Sequence, residues 1–198
     1  LVYAPGSSPI NEDEITSHYS NLAYGLAGII LERNLQKSLE TIFKEYILSK
    51  INMNNTSFDD NVFIQNRAEP HNLLGITSFW DMAGFNGAGG LNSNLNDLVL
   101  FTKTILFNSN DIELDNAINE SVNPTVMLNS FPVFGLGWEF YTMNNGNKIL
   151  VKDGGTGGFT SFVVINRENK KGIVALFNNN TDSNQAECII SLINLFIK

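Results

Sequence analysis

The spacing of the apolar residues changes along the chain, and this change limits the possible folds more than any other feature of the sequence. Between residues 21 and 49 apolar side chains recur every three to four positions, which predicts amphipathic helices. In the last third, short apolar segments alternate with turns rich in asparagine and glycine, which predicts an antiparallel sheet. Helices followed by such a sheet, with a last helix at 183–196 that packs on it, indicate an α+β fold.

The predicted elements are short. The first helical region breaks near Asn34, because asparagine tolerates a left-handed cap, and a further helix covers residues 94–106. Four segments are predicted as strands: residues 133–141, 148–152, 161–166 and 172–177. The last of them contains an apolar run, 173–177, that does not alternate, which favours a central strand covered on both faces.

The length of 198 residues suffices for one domain, or for one domain in two lobes. We predict a loop and helical lobe over residues 1–129 and an antiparallel sheet with a C-terminal helix over residues 130–198. An active site is expected in the cleft between the two lobes.

Charge and cysteine content exclude several classes of function. Twelve Lys and Arg against twenty Asp and Glu give a net charge of −8, which does not provide the basic surface that binds nucleic acid. No apolar run approaches the roughly 18–20 residues that cross a bilayer. Cys188 is the only cysteine, so the chain has no internal disulfide and no thiolate metal site. With only His18 and His71 as histidines, we expect neither a metal nor another cofactor.

Two short segments have residues that could carry chemistry. Tyr19-Ser20-Asn21 stands where a loop meets an apolar helix, and Lys152-Asp153-Gly154-Gly155-Thr156-Gly157-Gly158-Phe159 directly follows a predicted strand. On local features alone, Tyr19 is equally a packing aromatic and Asn21 a helix cap. The glycines after Lys152 are equally a loose strand connection.

In their setting, both segments resemble blocks of the serine β-lactamase and penicillin-binding protein family, in its class C branch. Tyr19-Ser20-Asn21 resembles the Tyr-x-Asn block, and Lys152–Phe159 takes the place of the Lys-Thr-Gly strand. The other matching blocks, in the family's order, are Ile51-Asn52-Met53-Asn54-Asn55-Thr56, Ala88-Gly89-Gly90-Leu91-Asn92-Ser93 with Asp97-Leu98, and Gly135-Leu136-Gly137-Trp138. Pro5-Gly6 is similar to the Pro-Gly that lies upstream in the family.

The resemblance implies acyl transfer by a serine nucleophile on an ester, an amide or a β-lactam. In the family this serine lies in a Ser-x-x-Lys motif well before the Tyr-x-Asn block, and no serine of this chain has a lysine three residues later. We therefore expect the chain to be the C-terminal two-thirds of a larger enzyme. Two alternatives stay open: a non-catalytic binding module or pseudoenzyme, and a structural or interaction protein whose glycine-rich strand end is only a turn.

The resemblance also implies roles for individual residues. Tyr19 is the expected proton-transfer group, and because a free phenol is a poor base at neutral pH it needs a cation such as Lys152 beside it. Gly155 is expected to donate its backbone N–H to the oxyanion, where a Cβ would obstruct the carbonyl. Asn21 would bind the substrate carbonyl.

The remaining residues of the strand end are expected to bind substrate, namely Asp153, Gly154 and Thr156. Asp153 departs from the family pattern, in which Thr or Ser follows the lysine. We expect its carboxylate to weaken Lys152 and to favour neutral or cationic substrates, unless strand alternation turns it to the other face.

The resemblance finally implies partners and location. In the family the sheet takes further strands and a helix from N-terminal sequence, so we expect one edge and one face of the sheet here to lack cover. A missing N-terminal segment or a partner chain would cover them. Family members are usually exported, so a periplasmic or secreted location is expected.

Overall fold

The computed structural model describes residues 19–82, 84–126, 133–180 and 183–196. The helices are α1 (Asn21–Leu35), α2 (Leu39–Phe43), α3 (Asn86–Gly89), α4 (Leu95–Phe107), α5 (Ile112–Ser121) and α6 (Ser183–Phe196). The strands are β1 (His71–Asn72), β2 (Gly75–Ile76), β3 (Pro124–Val126), β4 (Val133–Gly135), β5 (Glu139–Thr142), β6 (Lys148–Gly155), β7 (Thr160–Asn166) and β8 (Lys171–Phe177). The predicted α+β class is confirmed.

Strands β3 to β8 form one antiparallel sheet in chain order, and β1 and β2 form a separate small hairpin. Each sheet strand pairs with the strand that follows it in the chain, as in an antiparallel meander. The longest pairings are β6 with β7 and β7 with β8, which makes these three strands the centre of the packing.

Alternation along β6 and β7 divides the sheet into two apolar faces. Leu150 and Ile165, which are register partners, lie in a core with residues of α4 and α5 and with Trp138. Ile149 and Val164 lie in a second core on the opposite face, with Ile189 of α6. Because successive strand residues point to opposite faces, Lys152 shares the α4 face with Leu150, and Asp153 shares the α6 face with Ile149.

A buried polar network ties two of the quoted sequence blocks together. Asp97, in the first turn of α4, is 2% exposed and accepts hydrogen bonds from Asn55 N at 2.7 Å and Thr56 Oγ1 at 2.8 Å. Ser93 Oγ lies 2.8 Å from Thr56 Oγ1. A buried carboxylate requires such partners. These polar residues therefore serve the fold and join the α2 region to α4.

Several predicted element boundaries differ from the structure. The predicted strand 133–141 is two strands, β4 and β5, because Gly137 has a φ of +88° and the chain turns there, closed by a bond from Gly135 N to Trp138 O. The first helix ends at Leu35 with Gln36, not Asn34, in the left-handed conformation. β6 extends three residues beyond its predicted end.

The place of β8 in the sheet is a further difference. In the described part of the chain β8 pairs only with β7, so it is an edge strand although its apolar run predicts a central one. Both faces of β7 and β8 carry helices, α4 on one side and α6 on the other. The expectation of an uncovered face therefore does not hold for these strands, whereas the expected open edge is present.

The predicted division at 129/130 falls outside the described residues, as do Pro5-Gly6 and His18. The sheet itself begins earlier than that division, because β3 precedes it and pairs with β4.

Candidate active site

The structure brings together the two segments that the sequence analysis singles out. Lys152 Nζ lies 5.7 Å from the centre of the Tyr19 ring, within the range of a cation–π contact. The Tyr19 side chain is 72% exposed, and the side chain of Lys152 is 36% exposed. An exposed phenol and an ammonium group therefore share one surface.

A helix cap fixes the segment that carries Tyr19. Ser20 has extended backbone angles, and its Oγ accepts a hydrogen bond from Ala23 N at 3.1 Å. Serine is a favoured residue for this role. The cap belongs to Ser20, not Asn21, so Asn21 is the first residue of α1, where its side chain is exposed.

The end of β6 offers an open backbone edge. Thr156 N donates to Phe159 O at 3.1 Å, which makes these two residues the hydrogen-bonded pair beside the turn. Because bonded and non-bonded pairs alternate, Gly155 and Thr160 form a non-bonded pair, and the N–H of Gly155 points away from β7. On that side the pairing with β5 ends at Glu139 and Val151, so among the described strands residues 152–155 pair with β7 alone.

Gly155 has space around it as well as a free edge. A Cβ added there would meet nothing within 4 Å, and its φ is not in the left-handed region. The described residues thus do not require glycine at this position. The expectation that a Cβ at Gly155 would obstruct the substrate carbonyl is therefore corrected. A strand side chain stands perpendicular to the sheet, whereas the N–H lies in the plane of the sheet.

Lys152 and Asp153 form an ion pair at this edge. Lys152 Nζ donates to the Asp153 carbonyl oxygen at 2.6 Å and to Asp153 Oδ1 at 3.1 Å. The two side chains leave the strand on opposite faces, and the long lysine reaches around the open edge. The carboxylate is 59% exposed, so water screens the pair.

The α6 face near Asp153 carries further negative charge. Tyr141 donates its hydroxyl to Glu139 Oε2 at 2.6 Å. Burial, this hydrogen bond, and the charges of Glu139 and Asp153 raise the pKa of Tyr141 to about 12. The phenol therefore stays protonated at neutral pH and serves as a donor to the carboxylate.

Gly154 and Thr156 are placed by their neighbours. A Cβ at Gly154 would lie 2.7 Å from Ser161 Oγ across the strand pair, so glycine fits that position. The Thr156 carbonyl accepts from Asn180 Nδ2 at 2.9 Å, and its N–H bonds to Phe159. The backbone of Thr156 is thus engaged within the protein.

Sequence reasoning missed the segment that covers the β6–β7 turn, residues 67–80, because it shows no hydrophobic period. Its Phe79 ring stacks on Phe159, with centroids 5.9 Å apart and planes at 25°. His71 N donates to Gly158 O at 3.2 Å. The paired glycines 157 and 158 were the available signal, since adjacent glycines often mark a close approach of backbones.

Two features of the described residues concern metal binding and membranes. No group of three or more His, Cys, Asp or Glu side chains is arranged there to hold a metal ion. None of the described helices has the length and apolar character of a bilayer span.

Comparison with known proteins agrees with the family resemblance of the sequence. A family model described as Beta-lactamase matches residues 3–191. Beta-lactamase-like protein 4 of Dictyostelium discoideum is 27% identical over 189 residues, covering 83% of this chain and 32% of the relative. Beta-lactamase-like protein 2 of the same organism is 26% identical over 166 residues, covering 80% and 30%. The chain spans about a third of the length of these curated relatives.

Solved structures share the fold. A class C β-lactamase from Rhodobacter sphaeroides superposes with a TM-score of 0.80 at 20% identity, covering 89% of this chain and 59% of that one. An octameric penicillin-binding protein homologue from Pyrococcus abyssi gives 0.76 at 22% identity, covering 89% and 42%.

Proposed function

The chain belongs to the β-lactamase family, and we propose that it supplies one part of a serine hydrolase site that works by acyl transfer. The observation that carries the proposal is the approach of Lys152 Nζ to the Tyr19 ring, 5.7 Å from its centre, beside the open edge of β6. Phenol, ammonium and unpaired backbone N–H are the groups that such chemistry needs around a nucleophile.

The proposed reaction has two steps. A serine oxygen attacks the carbonyl carbon of an ester, an amide or a β-lactam, and Tyr19 takes the serine proton and passes it to the leaving oxygen or nitrogen. Water then attacks the acyl-enzyme carbonyl, and Tyr19 takes a proton from the water and passes it to the serine oxygen. The bond between the acyl carbon and the serine oxygen breaks, which releases the acid and the free serine. Lys152 contributes a positive charge beside the Tyr19 ring, 5.7 Å from the ring centre.

Gly155 is the proposed oxyanion donor. Its N–H points to the edge that β5 leaves open, and the tetrahedral oxyanion would accept a hydrogen bond there. The N–H of the nucleophile would supply the second donor. Since no serine of this chain has a lysine three residues later, we propose that the nucleophile lies on a segment outside this sequence.

Substrate contacts are assigned to residues around that edge. Asn21, at the start of α1, offers its amide to the substrate carbonyl. Gly154 and Thr156 flank the oxyanion donor. Asp153 holds the ammonium of Lys152 in an ion pair, so it competes with a substrate carboxylate and favours neutral or cationic esters and amides.

The edge of β8 is the proposed contact with the remainder of the enzyme. Its apolar residues pair on one side only among the described strands, and exposed strand edges require a partner or protection. A further segment of the same protein, or a partner chain, would complete the sheet there.

Acylation of the full-length protein tests the proposal. A fluorophosphonate and a fluorescent penicillin are used as probes, and mass spectrometry locates the labelled residue. We expect a labelled serine, and a loss of labelling on the order of 10²-fold in Lys152→Met. Lys148→Met is the matched control, since Lys148 lies on the same face at the other end of β6.

The same experiment addresses the alternative of a non-catalytic binding module, which the missing Ser-x-x-Lys favours. A protein of that kind would take up neither probe covalently. Unlabelled wild-type protein, folded by circular dichroism, would overturn the proposed hydrolase.

A further inference from the structure

We propose that Arg67 and Phe79 are positioning residues that hold the β6–β7 turn, and through it the N–H of Gly155. The catalytic consequence rests on the proposed function. The structural consequence, a turn held by these two side chains, stands independently of it.

A continuous stack of side chains connects the helical lobe to the turn. The Arg67 guanidinium lies over the Phe79 ring, with Cζ 3.6 Å from its centre. Phe79 in turn stacks on Phe159, with centroids 5.9 Å apart. The Phe159 carbonyl accepts the hydrogen bond of Thr156 N, the residue directly after Gly155. The stack therefore ends at Phe159, whose hydrogen-bond partner Thr156 is one residue from the proposed oxyanion donor.

Arg67 is itself held in place. Its Nη2 donates to Asp60 Oδ1 at 3.1 Å and to Asn92 Oδ1 at 3.3 Å, and its side chain is 20% exposed. Asn92 belongs to the helical lobe, where its backbone pairs with Ser57 in both directions. A planar guanidinium can bond at its edge and stack with its face at once. The stack is thus fixed at the end that lies away from the turn.

The backbone of the same segment lies directly on the turn. A Cβ at Gly158 would fall 2.7 Å from His71 N, and one at Gly157 would fall 3.2 Å from Ser78 O and 2.5 Å from Trp80 Nε1. Neither glycine has a positive φ, so both are required by space and not by backbone conformation. The turn and the segment are in close contact over two consecutive residues.

Gly155 needs this external support. It has no side chain, a Cβ there would touch nothing within 4 Å, and the described strands leave its outer edge unpaired. Its position is set by β7 on one side and by the turn that follows. A displacement of about 1 Å is enough to cost a catalytic group most of its effect. Contacts that fix the turn consequently fix the donor.

Hydrogen exchange at the Thr156 amide tests the structural part in the full-length protein. We expect Phe79→Ala to raise the exchange rate of this amide about tenfold, because the variant loses one aromatic pair and one cation–π contact. Arg67→Lys, which keeps the charge but loses the planar face, should give a smaller increase. Amides at the centre of β8 should not change.

Two further variants separate positioning from general destabilisation. Phe107→Ala is the matched control, because Phe107 also lies beneath a cation, Lys170, but at the end of α4. Phe79→Leu keeps apolar volume and covers the case in which the alanine variant does not fold. Unchanged exchange at Thr156 in Phe79→Leu and Phe79→Ala, or an equal increase in Phe107→Ala, would overturn the inference.

Acylation tests the catalytic part. We expect Phe79→Ala to lower the acylation rate about tenfold with the KM of the probe unchanged, and Phe79→Tyr to restore it. An acylation rate that stays at the wild-type value despite faster Thr156 exchange overturns the link to Gly155. Wild-type protein that is not acylated at all overturns the proposed function instead, and the exchange results still decide whether the stack holds the turn.

Discussion

Lys152 Nζ lies 5.7 Å from the centre of the Tyr19 ring, although Tyr19 precedes α1 and Lys152 lies on β6. Tyr19 is positioned by the Ser20 cap at the start of α1. Lys152 lies on β6, on the sheet face against which α4 packs. Their meeting requires both the helical packing and the sheet register to be correct.

The hydroxyl of Tyr19 should matter to acylation and not to folding. Tyr19→Phe removes only that hydroxyl, from a side chain that is 72% exposed. We expect the acylation rate to fall about 10²-fold, the lower end of what a general acid–base group contributes, with the melting temperature unchanged. Tyr24→Phe is the control, because Tyr24 is an exposed tyrosine in the first turns of α1, near Tyr19 in sequence. Equal rates for both variants would remove Tyr19 from the mechanism.

The N–H of Gly155 can be removed without a side-chain clash. Gly155→Ala meets open space, so we expect ordinary stability and retained acylation. Gly155→Pro lacks the N–H, and proline is tolerated at strand edges that need no ladder bond. We expect it to lower acylation by about 10²-fold or more. The comparison of single-turnover rates decides the role, and a proline variant that is folded and fully active would contradict it.

Much of the fold was predictable because it depends on local pattern. The period of α4 follows from the sequence, and the Asn-rich turn between β5 and β6 signals a hairpin. The sequence allows Asn94 or Asn96 as the cap of α4, and the structure has Asn94. The turn at Gly137 was not predicted, since a glycine inside an apolar run does not by itself indicate a positive φ. The edge position of β8 was also missed, because strand order depends on contacts far apart in sequence.

The candidate site was predictable only in part. Tyr19, Lys152 and Gly155 are indicated by the resemblance to the family's sequence blocks, and the structure places Tyr19 and Lys152 together. Arg67 and Phe79 are marked by nothing in their own segment. Their contacts with the β6–β7 turn arise from tertiary packing, which no local period encodes.

Asp153 should act as a filter on substrate charge. Its carboxylate is bonded to Lys152, so removing it frees the ammonium for a substrate carboxylate. For Asp153→Thr we expect the ratio of acylation by a carboxylate-bearing cephalosporin to that by a neutral acyl ester to rise about fivefold, the scale of an exposed ion pair. Asp153→Asn is the matched control for shape. A wild-type preference for the cephalosporin, unchanged in both variants, would contradict this role.

Asp97 should be a stability residue and not a catalytic one. It is 2% exposed, and its Oδ2 accepts from Asn55 N and Thr56 Oγ1. Asp97→Ala leaves both donors without an acceptor, so we expect a loss of about 3 kcal/mol in the free energy of unfolding, measured by urea denaturation. Asp97→Asn keeps an acceptor oxygen and should lose less. Equal denaturation midpoints for the wild type and the alanine variant would show that the network is dispensable.

Asp111 gives the stability a defined dependence on pH. Its carboxylate bonds to Lys50 Nζ at 2.7 Å and caps α5 by accepting from Leu114 N at 2.9 Å, and these contacts lower its pKa below the ordinary 3.8. A carboxyl group whose pKa is lower in the folded than in the unfolded protein stabilises the fold at pH values above its unfolded pKa. This contribution is lost as the pH falls through its folded pKa. The melting temperature of Asp111→Ala should therefore lie below that of the wild type at neutral pH. The difference between the two melting temperatures should narrow below pH 3.8. Asp111→Asn retains the cap and should lie between them. A gap that stays constant from neutral to strongly acidic pH would show that the charge of Asp111 does not stabilise the fold.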